Sequence, residues 1–363
     1  MSYLRGKTLS TKPLSTKTSS SSSSSSVPCT LDKEVTLPSD AEDTISSVSW
    51  SPTSHHLAAA SWDGNVRVYN VSPTGVARGV ALLAAGGPIL DCDWAKDGST
   101  VAAGGADKTV HLLNMSTNQQ ATLGNHEAPI RSVRFVDVPE CNEPIVATGS
   151  WDKTVKYWDL RQQDPLGTIT CNERVYSMDS KAHVLVVANA ARQVHIFDLK
   201  NPGVIYRTIE SPLKYQTKVV AAFPDGKGFG IASIEGRCAM NAVEDKDETS
   251  INFTFRCHRE TEGKVEKVYS VNDMSFHPIT HSVFSTGGSD GVFQFWDRVT
   301  HTKFRHYQKA DEAITATAFN RDGSFLAYAI GYDWSRGCAA NTQKTETKLM
   351  LHPVDEEDLK KKA

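Results

Sequence analysis

Several stretches of this sequence bring reactive side chains close together. Gly226-Lys-Gly228-Phe-Gly230 carries part of the glycine spacing that cradles a dinucleotide pyrophosphate, a chemistry that requires a helix N-terminus directly after the loop. The residues that follow read as a strand, so these glycines predict a turn. Gly149-Ser-Trp-Asp-Lys153-Thr154 echoes the end of a phosphate-binding loop but lacks its second glycine. His126 and Asp152 could act as a general base and its orienting carboxylate. The competing reading is a structural hydrogen bond between a histidine and the turn aspartate of one repeat, and it is favoured here. His55-His56 and Cys257-His258 have no further ligands at metal spacing, so no metal site is predicted. No paired carboxylates and no activated nucleophile stand out. What remains is the chemistry of binding. Arg174, Lys214, Arg237, Arg256 and Arg259 suit carboxylates or phosphates, the guanidinium groups offering two parallel charge-assisted bonds each.

The elements that must position these groups are short strands. Ala147-Thr-Gly-Ser-Trp-Asp152-Lys-Thr-Val-Lys-Tyr-Trp-Asp159 sets two runs rich in β-branched and aromatic residues on either side of a polar turn, which is a β-hairpin. A lone hairpin is marginal in water, so copies must pack against it. Copies recur with turn positions at 63, 107, 152, 191, 235, 290 and 333, at intervals of 39 to 55 residues. Each has an apolar run just upstream, from residues 48–50 in the first to 314–319 in the last. A period of roughly 40–45 residues is that of a WD40 blade. The expected fold is therefore all-β, a seven-bladed WD40 β-propeller over residues 32–354. Lys33-Glu-Val-Thr-Leu37 has no partner nearby and the last repeat runs out of chain, so this N-terminal strand is expected to close the ring. In this architecture the hairpin turns face one end of the disc. Trp62, Trp151 and Ile234 precede the turn acids and belong on that face, either as interaction hot spots or partly buried between blades.

Composition agrees with one cored domain. The 363 residues are 39% hydrophobic and 22% charged, with a net charge of -3, which argues against a globally basic nucleic-acid binder but leaves room for a local basic patch. No apolar run approaches the roughly 20 residues of a membrane helix. Seven cysteines with no CxxC read as reduced core residues of an intracellular protein. Residues 1–31 hold an unbroken serine run from Ser19 to Ser26 and are expected to be disordered; Pro13 and the serines spoil the amphipathic helix of a transit peptide. Residues 355–363 read as a charged, solvated tail. Two insertions are expected, residues 241–267 with the β-rich run Asn252-Phe-Thr-Phe-Arg-Cys-His-Arg259, and residues 334–347 inside the last hairpin. Insertions of this kind lie on the surface, often on the binding face.

That run, together with Glu210-Ser-Pro-Leu-Lys-Tyr215, Ser233-Ile-Glu-Gly-Arg237, Val271-Asn-Asp-Met-Ser-Phe-His-Pro278 and Tyr332-Asp-Trp-Ser-Arg-Gly337, resembles the WD40-repeat mRNA export factor family, whose members dock on a nuclear-pore protein. The resemblance spans the propeller and implies a non-enzymatic adaptor in the nucleus, at the nuclear envelope and also in the cytoplasm. It implies a nucleoporin carrying the acidic GLEBS motif as partner, with single-stranded RNA or messenger ribonucleoprotein as a second ligand. No cofactor, small-molecule substrate or membrane contact is implied. By the same resemblance Arg237 pairs with a motif carboxylate, and Phe255 and Trp296 form an apolar pocket beside it; Arg256, one of the basic residues above, is a further partner-binding candidate. The related mitotic checkpoint propeller, which binds GLEBS motifs of kinetochore kinases, is the alternative; it lacks a clear Tyr-Asp-Trp-Ser run. A substrate receptor or a propeller enzyme is the reading from another class.

Overall fold

In the computed structural model, residues 33–139, 141, 143–341 and 346–360 are described, and they form seven four-stranded antiparallel sheets laid down in chain order, plus one two-stranded hairpin. Blade 3 shows why the sequence folds this way. Its strands are Ile130–Val136, Ile145–Ser150, Thr154–Asp159 and Gly167–Thr170, running from the central axis outward. The turn between the middle two is tight, with Lys153 at φ 71°. It is fixed by Asp152, whose carboxylate accepts the Thr154 amide at 2.9 Å and the Thr154 hydroxyl at 2.6 Å. Asp63, Asp107, Asp290 and Asp333 repeat the device. Blade 4, which lacks the turn aspartate, uses Asn189 to accept the Ala191 and Gln193 amides.

Middle strands such as Val184–Asn189 are buried along their whole length, because each blade packs on a neighbour through both faces. Seven apolar clusters result, one at each junction between successive blades. The inner strands add a polar ring. Asp91 accepts the Val133 amide of the next blade at 2.9 Å, Ser177 the Val220 amide at 3.0 Å, Asp179 the Ala222 amide at 2.7 Å and Asp273 the Thr317 amide at 2.6 Å. Blades 2 and 3, 4 and 5, and 6 and 7 are thus tied together by side-chain bonds to backbone amides as well as by packing.

The N-terminal strand closes the ring as expected. Val35 and Thr36 pair with Leu351 and Met350, the Leu37 amide donates to Leu349 O at 2.8 Å, and Leu37 sits in the cluster between blades 7 and 1. Two expectations need correcting. The β-rich run is not an insertion, since Phe253–Arg256 is the regular outer strand of blade 5, paired with Arg237–Ala242. The added chain lies on either side of it, as a short helical segment over Asp245–Asp247 and Glu248–Ile251 and as the hairpin Arg259–Glu262 with Val265–Val268. Nor is the charged C-terminal segment wholly solvated. Asp358 is 1% exposed, its carboxylate 3.1 Å from Arg305, 2.7 Å from the Tyr307 hydroxyl and 3.2 Å from His352. The serine-rich leader, Cys29, residues 342–345 of the second insertion and the last three residues lie outside the described residues.

Candidate partner-binding face

The hairpin turns and the connections between blades gather at one end of the disc. Glu42 and Glu127, each on a connection between blades, donate their amides to the turn acids Asp63 and Asp152 at 3.0 Å. On this face Trp151 is 38% and Ile234 41% exposed. Trp62 is half-buried, stacked on Trp334 with ring centroids 4.5 Å apart. Trp62, Trp151 and Trp334 together rim a central channel of about 1370 Å³. Trp334, absent from the sequence reading of the site, comes from the extended turn of blade 7, and its position in a Tyr-Asp-Trp run matching Ser-Trp-Asp was the available signal.

The basic residues divide. Arg237 and Arg256 are directly opposite each other on adjacent strands of blade 5. Within the described residues Arg237 has one ion pair, with Glu235 at 3.8 Å, and Arg256 is exposed with none. Arg259 is held by Glu266 at 3.0 Å and by Glu235 O at 2.9 Å, which roots the added hairpin beside this pair. Arg174, before blade 4, is exposed and 3.6 Å from Glu173. Lys214, before blade 5, is exposed, and its carbonyl accepts from Arg192 at 3.2 Å.

Phe255 and Trp296 do come together, their rings 4.7 Å apart. They are not beside Arg237. Side chains alternate across a strand, and the pairing of Cys238 with Phe255 sends both toward blade 6, whereas Arg237 and Arg256 start on the face toward blade 4. Trp296 is 9% exposed and donates its indole N–H to Thr286 at 3.0 Å. Thr286 also meets His258 at 2.9 Å, and His258 lies 2.8 Å from Asp290, so Trp296 ends a buried structural chain. His126 is the same device in blade 3. It lies 2.8 Å from Asp152 and 2.7 Å from Thr148, which receives the Trp158 indole N–H at 2.7 Å. Burial lowers its pKa against the pull of Asp152. Closed on every side by protein, neither histidine presents a free nitrogen to a substrate.

Deeper in the channel the inner strands place charges that the sequence reading missed. Asp91 receives Ser47 and Ser132 hydroxyls at 2.8 Å and pairs with Arg134 at 2.6 Å, and Arg134 reaches Asp179 at 3.2 Å. Burial raises the pKa of Asp273 to about 7, against the Thr317 and Met274 amides that bond its carboxylate. Their lone pairs are committed to holding blades together. A serine or aspartate recurring at one position of the inner strands, as at Ser47, Asp91, Ser132, Ser177 and Asp273, was the sequence signal.

The WD domain, G-beta repeat model matches residues 33–70, 81–114 and 117–159, the closing strand and the first three blades. Similarity to whole proteins runs much further. The chain is 46% identical over 335 residues to the WD40 repeat protein poxJ of Penicillium oxalicum, covering 92% of this chain and 96% of that one. It is 46% identical over 329 residues to the mRNA export factor GLE2 of Chaetomium thermophilum, covering 89% and 91%. To the Poly(A)+ RNA export protein of Schizosaccharomyces pombe it is 44% identical over 330 residues, covering 91% and 93%. With identities of 44–46% over about nine-tenths of its length, the chain belongs to the WD40-repeat mRNA export factor family.

Proposed function

We propose that this protein is a non-enzymatic adaptor of nuclear mRNA export that receives the GLEBS motif of a nucleoporin on the turn face of its propeller, and so brings messenger ribonucleoprotein to the nuclear pore. The observation that carries this reading is the opposition of Arg237 and Arg256. Like charges directly across a strand pair destabilise it, and Glu235 at 3.8 Å satisfies them poorly. An acidic peptide laid over the blade supplies the missing carboxylate, which each guanidinium can bind through two parallel bonds. Trp151 and Ile234 add apolar area on the same face, while Arg174 and Lys214 extend its positive charge toward blades 3 and 4.

The test is calorimetric titration of a GLEBS peptide against wild type, Arg237→Glu and Arg256→Glu, with thermal melts of all three. Reversal opposes two negative groups and should cost on the order of 2–5 kcal/mol of binding, a weakening of roughly 30-fold to several thousand-fold. Both side chains are at least partly exposed, so the melts should barely move. Unchanged affinity with unchanged melts refutes the assignment.

A further inference from the structure

We propose that Cys238 and Cys257 form an oxidisable dithiol that a hydroperoxide converts to a disulfide, tying together the two outer strands of blade 5. Their Sγ atoms lie 3.5 Å apart. No other pair of described cysteines makes such a contact. The strands bring them together. Cys238 pairs with Phe255 and so faces blade 6, and the ladder ends one residue later at Arg237 and Arg256. There the Cys257 amide donates to Gly236 O at 3.0 Å, which keeps the chain alongside and leaves Cys257 on the same face as Phe255, two residues on. A disulfide needs sulfurs about 2.05 Å apart, so the two sulfurs must close by about 1.5 Å from their 3.5 Å separation.

The surroundings give the two thiols different roles. Burial disfavours the Cys257 thiolate, but the Cys238 thiol bonded to it, His258 next to it and Arg259 beyond outweigh that and hold its pKa below the usual thiol value. Burial and the neighbouring Cys257 push Cys238 well above it. Cys257 is 5% exposed and Cys238 fully enclosed, so a small peroxide reaches Cys257 first. The Cys257 thiolate attacks one peroxide oxygen and the O–O bond breaks. The departing oxygen takes up a proton and leaves as alcohol or water, and Cys257 becomes the sulfenic acid. Cys238 sulfur then attacks the Cys257 sulfur, forming the S–S bond. Hydroxide is expelled and leaves as water with the Cys238 proton. Two thiols lose two electrons in total and one hydroperoxide gains them.

The experiment treats the full-length protein with hydrogen peroxide, blocks free thiols by alkylation and maps the tryptic peptides. Because Cys238 follows Arg237 and Cys257 follows Arg256, trypsin frees each at a peptide N-terminus. The expected product links these two peptides, is reversed by dithiothreitol, and forms about tenfold faster than any oxidation of buried Cys171. In Cys238→Ser, Cys257 should be trapped by dimedone as the sulfenic acid; in Cys257→Ser, Cys238 should stay a thiol at the same dose. Recovery of both as free thiols at a dose that oxidises exposed Cys338 overturns the proposal, as does equal reactivity of Cys238 once Cys257 is gone.

Discussion

Asp358→Asn tests the clasp that joins the two ends of the chain, and the structure sets its size. His352 lies 2.6 Å from Glu34 of the N-terminal segment and 3.2 Å from Asp358. Burial alone would make this imidazole less basic, but the bonds to Asp358 and Glu34 outweigh it and raise its pKa to about 9. Asp358, opposed by burial but held by His352, the Asp355 amide and Tyr307, is lowered to about 2. A rise from 6.5 to about 9 corresponds to roughly 3 kcal/mol. Two carboxylates share it, so removing one forfeits about half, and the Tyr307 and Arg305 bonds left facing a neutral amide add about 1–2 kcal/mol. The expected cost near pH 6 is therefore about 2–4 kcal/mol, in line with breaking a buried pair. Because the histidine pKa is raised on folding, its contribution is complete below about 6.5 and is lost as pH rises through 9. The Asp358 pKa is depressed, so its contribution holds above its ordinary value of 3.8 and is lost as pH falls toward 2. Urea denaturation followed by circular dichroism at pH 6, 8 and 10 should show the gap between wild type and variant narrowing by about 1.5 kcal/mol across the series. A gap that stays constant with pH would show that the charged imidazole is not its source.

Truncation gives a second check on closure. Removing residues 1–26 should leave the thermal melt unchanged, whereas removing 1–37 takes away the Val35 and Thr36 pairing, buried Leu37 and the Glu34 bond to His352, and should lower it sharply; equal melts for the two would exclude a closing role. Gly124→Ala should cost about 1–3 kcal/mol in denaturant titration, because its Cβ would fall 2.1 Å from a Trp158 ring pinned by its bond to Thr148, and a wild-type midpoint would mean that the ring can yield.

The architecture was legible in the sequence because a propeller repeats its local rules. An aspartate fixes the turn in five of the seven hairpins, and the turn spacing counts the blades; blade 4, where the aspartate is gone, kept its strands and found Asn189, and blade 5 has Glu235 in its place. What stayed hidden was register. The family resemblance implies that Arg237, Phe255 and Trp296 form one site, but a pairing of 237 with 256 rather than 255 puts the arginine and the phenylalanine on opposite faces of one sheet. The same pairing places Cys238 against Cys257, 19 residues apart. The burial of Asp358 escaped for a different reason. A run of charged residues looks solvated in composition whether or not one of them has found a buried histidine and tyrosine.

The placement of the candidate face follows from how the disc is held together. Blade joins to blade through the inner-strand carboxylates and hydroxyls that accept a neighbour's backbone amides, and through apolar clusters filling every junction. Those bonds occupy many of the polar groups that line the channel. The turns are also fixed, five of them by an aspartate and that of blade 4 by Asn189, so the side chains just beside these turn residues vary at little cost to the fold. Trp151, Ile234 and Arg237 occupy such positions in blades 3 and 5. A partner laid across them meets a surface whose backbone is already ordered, and the entropy that loops ordinarily lose on binding is small. Specificity then rests on which charges remain unneutralised. In a chain of net charge -3, most arginines of this face have a carboxylate close by, as Arg192 has Glu210 at 2.6 Å and Arg259 has Glu266. Arg256 has none among the described residues, and Arg237 has Glu235 only at 3.8 Å. On the proposed reading, a face whose arginines are neutralised except at Arg237 and Arg256 would favour a ligand that brings a carboxylate to that blade, which a uniformly basic surface could not do.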